Sequence, residues 1–101
     1  ALLNLGNVFF NLGDYQQAVE YQQHSLQITR QIGNKYGEGE ALLNLGNTFI
    51  QLNQYSEALE YLQASLTIFR EIASRANEAK TIKSLAELYQ NTGNLNLALE
   101  Y

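Results

Sequence analysis

The chain has 101 residues, 46% of them hydrophobic, and sets ten Asp and Glu against six Lys and Arg for a net charge of −4. That length supports one modest domain with a small core, and an acidic balance without a basic stripe argues against DNA or RNA as a partner. With no cysteine there are no disulfides, thiolate metal sites or thiol redox chemistry, which fits a reducing, cytoplasmic setting; no run approaches the roughly 18 apolar residues of a membrane span, so no membrane partner is expected. Proline is absent and the charges are scattered, leaving no linker between domains. No signal-peptide pattern opens the chain. Ala1 stands where an initiating Met would, and Tyr101 falls inside an apolar-periodic segment, so a piece of a longer protein is expected.

Leu2, Leu5, Phe9 and Leu12 recur at steps of three and four, one apolar stripe on a helix predicted near 1–12. Gly13 breaks it and Asp14 offers an N-cap, with Gln17 three residues on as the reciprocal half of a capping box. A second helix follows near 15–32, with Tyr15, Ala18, Val19, Leu26 and Ile32 on its covered face. Gln22 and Thr29 read as interior there too, because their counterparts forty residues on are Leu62 and Phe69. Gly33-Asn34 stops this helix. The third, near 35–52, carries ALLNLGN at 41–47, a copy of residues 1–7. Helices near 55–73, near 76–92 and from 95 onward complete the order; Asn53-Gln54 and Ser74 are weaker turn signals, and Gly93-Asn94 restores the stronger one.

Laid over residues 41–80 without a gap, residues 1–40 are identical at half of the positions, among them Phe9/Phe49, Tyr15/Tyr55, Ala18/Ala58, Tyr21/Tyr61, Leu26/Leu66 and Arg30/Arg70. Residues 81–101 restart the pattern with Leu85, Tyr89 and Ala98-Leu99-Glu100-Tyr101. A fixed period of this length denotes stacked supersecondary units. The chain thus reads as a single all-α array over 1–101: repeat one 1–40, repeat two 41–80 and a truncated third repeat 81–101. Gly6 and Gly46, with the alanines at 18, 58 and 98, are small enough to let the helices of one hairpin approach closely.

Leu2, Leu5-Gly6, Phe9 and Ala18, then Leu42, Leu45-Gly46, Phe49 and Ala58, then Ile82, Leu85-Ala86, Tyr89 and Ala98, resemble the tetratricopeptide pattern of a large residue, Leu-Gly, an aromatic and Ala. The resemblance covers the whole chain. It departs from the pattern where Leu or Ile replaces the usual Trp, where Ala86 replaces Gly, where Gln22 or Leu62 stands in place of a common aromatic, and where the closing Pro is missing. With the 40-residue period, the chain looks most similar to the long-repeat branch of spindle-orientation adaptors and kinesin light chains. The resemblance implies a right-handed superhelical solenoid of antiparallel helix hairpins whose first helices line a concave groove, and a non-catalytic scaffold that binds a protein or peptide segment there.

On the groove face the first helices carry Leu3, Asn4, Asn7, Phe10 and Asn11; Leu43, Asn44, Asn47, Ile50 and Gln51; and Lys80, Lys83, Ser84, Glu87, Gln90 and Asn91. Amides both donate and accept, so the Asn and Gln stripe suits the backbone of an extended peptide, with Phe10 and Ile50 offering apolar contact. Asparagine is a poor interior helix residue, which favours binding over mere solubility. The expected site is therefore Asn4, Asn7, Phe10, Asn11, Asn44, Asn47, Ile50, Gln51, Lys80, Lys83 and Glu87. For the carboxylate clamp of relatives that hold chaperone C-termini, Asn7, Asn44 and Lys80 match but Leu3 and Ser84 stand where basic residues belong. The lone His24 has Ala64 as its counterpart and reads as surface. Glu38 and Glu40 point to different helix faces, Glu57 and Glu60 share a face where exposed charge is expected, and both pairs read as solvated surface, so no acid–base pair is expected. No motif implies a cofactor or metal. The rivals to groove binding are self-association through uncapped repeat ends, as an end-to-end homo-oligomer or by swapping the terminal helix, and a regulatory repeat region of a larger multidomain protein.

Overall fold

The computed structural model describes residues 2–92, with side chains described from Leu5 onward. Among the described residues there are five helices and no strand: α1 (Leu2–Asn11), α2 (Tyr15–Gln31), α3 (Lys35–Gln51), α4 (Tyr55–Glu71) and α5 (Arg75–Thr92). Each predicted boundary in this range lies within two residues of the observed one. The helix expected from 95 onward, with Ala98 and Tyr101, lies outside the described residues.

The turns are built alike. A left-handed residue follows each of the first four helices at a spacing of twenty: Gly13 (φ 80°), Gly33 (71°), Asn53 (60°) and Ala73 (58°). The next residue's N–H reaches back to the carbonyl five residues earlier, Asp14 to Phe9, Asn34 to Thr29, Gln54 to Phe49 and Ser74 to Phe69, each at 2.9 Å. This closure satisfies a carbonyl that the helix end leaves bare. It also corrects the expected capping box. Asp14 accepts from the Gln17 N–H at 3.3 Å, but its own N–H is held by Phe9, so the reciprocal bond from Gln17 is not made. Asn34 caps α3 through Gly37 at 3.0 Å, and Gln54 caps with its backbone alone.

Helix α3 packs on its chain neighbours α2 and α4 and also touches α1 and α5, whereas α2 and α4 do not meet. The odd helices therefore share one wall, and the even ones spread apart behind it. The small residues act where expected: a Cβ on Gly46 would stand 2.5 Å from Leu62 Cγ, one on Gly6 2.7 Å from Gln22 Cγ, and Ala18 and Ala58 are fully covered. Phe9 stacks on Tyr21 and Phe49 on Tyr61, both at 5.4 Å between ring centres, so the periodic tyrosines at 21 and 61 pack the hairpins.

Buried polar groups join neighbouring helices. Thr48 Oγ1 on α3 donates to Gln22 Oε1 on α2 at 2.8 Å, and the matching pair one repeat on, Leu62 and Leu88, is apolar and buried. Ser65 on α4 donates to the Gly39 carbonyl at 2.8 Å. Across the turns, Arg30 pairs with Glu38 at 3.1 Å and Arg70 with Glu78 at 2.9 Å, an ion-pair clip repeated every forty residues.

Candidate functional site

The shared wall of odd helices holds a cavity of about 340 Å³ between α3 and α5. Glu40, Leu43, Asn44 and Asn47 form its α3 side; their offsets of three, four and seven make a single helical stripe. Asn77, Lys80, Lys83 and Ser84 form the α5 side. Leu43, Asn77 and Ser84 are buried, Glu40, Asn44 and Asn47 half-buried, and Lys80 and Lys83 exposed.

The asparagines differ in engagement. Near the turns, Asn34 caps α3, Asn53 accepts from the Tyr55 hydroxyl at 2.9 Å, and Asn77 donates to Ser74 Oγ at 2.8 Å. Asn44 and Asn47 are half-buried, and among the described residues their side-chain amides make no hydrogen bond within the chain. Charges divide similarly. Glu38, at 13% side-chain exposure, accepts from Arg30 and lies 3.7 Å from Lys35, so it is a paired and mostly covered carboxylate rather than the solvated one expected. Glu40 points to the cavity instead, and among the described residues neither it nor Lys80 nor Lys83 forms an ion pair.

Of the expected site residues, Asn44, Asn47, Lys80 and Lys83 line the cavity. Asn7, Asn11, Gln51 and Glu87 are exposed outside it. Phe10 is half-buried, edge-on to Tyr15 at 5.3 Å. Ile50 is a correction: at 3% exposure it belongs to the core, because its position on α3 turns toward the packed side, and it offers no groove contact. The side chains of Leu3 and Asn4 lie outside those described. Glu40 and Asn77 were missed. Glu40 could have been found from its register, since Lys80 occupies the same place one repeat later.

Among the described residues no group of His, Cys, Asp and Glu is arranged to hold a metal, and no helix is long and apolar enough to cross a membrane. His24 is exposed beside Glu20, Tyr21 and Gln23 around a second, open depression, with no hydrogen-bond partner among the described residues.

A family model described as tetratricopeptide repeat matches residues 1–71. The fold is similar to the crystal structure of the TPR domain of Arabidopsis FLU, with a TM-score of 0.92 over 98% of this chain and 83% of that one. Sequence identity is 20%, so the likeness is one of fold.

Proposed function

Because the chain belongs to the tetratricopeptide repeat family, whose members generally act as protein-interaction scaffolds, we propose that it is a non-catalytic scaffold holding an extended peptide segment along the α1, α3 and α5 wall. The observation that carries this reading is the pair of unengaged amides, Asn44 and Asn47, on the wall of an open polar cavity. A half-buried amide without an internal partner gains a hydrogen bond when a peptide backbone arrives, and it can serve either the N–H or the C=O of that backbone.

The test uses a peptide recovered by display selection on the purified chain. Replacing Asn7, Asn44 and Asn47 together by Ala removes three hydrogen bonds of about 1 kcal/mol each, so affinity should fall roughly a hundredfold. Circular dichroism should be unchanged, since Ala is the better helix former. A folded triple variant that titrates with the parent's affinity would sink the reading.

A second reading, assembly through the repeat ends, is favoured by one observation. Leu5 and Val8 on α1, Leu12 just past its end, Ile28 on α2 and Ile32 at the α2 C-cap are 43–73% exposed, an apolar strip. At the same register Leu45 and Thr48 of α3 are packed and Thr48 bonds to α2, so the strip fits another helix of the α2 kind, supplied by a second copy. Sedimentation over a hundredfold range of concentration would decide: a constant monomer rejects it.

A further inference from the structure

Glu40 and Lys80 occupy one register position on neighbouring first helices but carry opposite charge, and Lys83 adds a second cation on the α5 side. All three line the same cavity, and among the described residues no ion pair joins them to one another or to any other group. The cavity therefore has an anionic α3 wall and a cationic α5 wall, each open to a ligand. Resting on the groove reading above, we propose that this cavity selects a mixed-charge peptide, one that places a Lys or Arg against Glu40 and an Asp or Glu against Lys80 and Lys83, so that charge order fixes the direction in which the segment lies.

A uniformly acidic ligand would satisfy the lysines but press a carboxylate toward Glu40, and it would approach a chain whose net charge is already −4. A uniformly basic one meets the lysines with like charge. Only a segment that changes sign between α3 and α5 complements both walls, and reversing it places like charges together on both sides, the kind of repulsion that discriminates register. Packed helices lie roughly 8–10 Å apart. An extended chain rises about 3.3 Å per residue, so the two ligand charges should stand about three residues apart.

The experiment uses fluorescein-labelled ten-residue Ser/Asn peptides in fluorescence anisotropy at low salt: one Lys and one Glu three residues apart in either order, Lys alone, Glu alone, and neither. One of the two mixed orders should bind about three- to tenfold more tightly than the other four, the range expected of partly exposed ion pairs, and the advantage should shrink as salt rises. Glu40→Gln should erase most of that advantage, and the exchanged variant Glu40→Lys/Lys80→Glu/Lys83→Glu should prefer the opposite order. Equal binding of all five peptides, or a preference that survives Glu40→Gln, overturns the charge-order proposal while leaving groove binding intact. If none of the five binds, and the display-selected peptide is also indifferent to the Asn→Ala triple variant, the groove reading falls and this proposal with it.

Discussion

Repeats one and two open with the same seven residues, yet Leu5 is 43% exposed and Leu45 fully buried, and Ile28 is 44% exposed against 7% for Ile68. The side chains are identical. What differs is the neighbour: α3 leans on α2, and its two extra N-terminal turns, including Gly39, cover Ile68, whereas among the described residues no helix packs on the matching face of α1. A repeat of this kind carries an apolar face that only the adjoining repeat can bury, so stability resides in interfaces more than in units.

The sharpest way to break that comparison is to truncate the two matched leucines. Leu45→Ala should cost about 2–5 kcal/mol, as buried leucines do, and Leu5→Ala about 0.5 kcal/mol. Urea denaturation of both variants measures the gap, and equal losses would show that α1 is covered in solution. Next, Gly46→Leu should overpack the α3–α4 hairpin against Leu62 by about 1–3 kcal/mol, lowering the melting temperature without changing helix content in the folded baseline.

A subtler contrast sets the α2–α3 interface, with its Gln22–Thr48 bond, against the α4–α5 interface, where Leu62 and Leu88 take the same places. Thr48→Val leaves a buried amide oxygen without its donor and should cost about 1–2 kcal/mol, while adding Gln22→Leu should restore most of it. A double-mutant cycle read by chemical denaturation gives the coupling; additive losses would mean the bond contributes nothing beyond packing. Smallest of all, Ala73→Gly should stabilise by about 0.5–1 kcal/mol because Ala73 sits at φ 58°, and Gly33→Ala should destabilise by a similar amount.

Most of the fold was legible because each helix-forming signal recurs forty residues later, so a weak turn such as Asn53-Gln54 could be read from the strong Gly13-Asp14 above it. The same comparison revealed that Gln22 is interior, since Leu62 shares its place. Its partner was not legible: Thr48 lies on the next repeat, and Val8 and Leu88 at that register give no hint of a hydrogen bond. The candidate site was half legible for a related reason. Asn44, Asn47, Lys80 and Lys83 follow from helical offsets, but a cavity forms between helices whose separation no single-helix pattern encodes, which hid Asn77. Ile50 was misplaced because it sits at the border between the groove stripe and the packed stripe, where one residue's rotation decides.

Among the described residues, contacts between helices run only from each helix to the next or next but one, and this has a bearing on synthesis. A topology of such local contacts closes in microseconds to milliseconds, while a ribosome adds about 5–20 residues per second. Helices α2 and α3 can therefore dock, and Thr48 find Gln22, before α5 has been translated. Folding then follows the order of synthesis, and the apolar face that each new helix exposes at the growing end waits only for the next one to emerge.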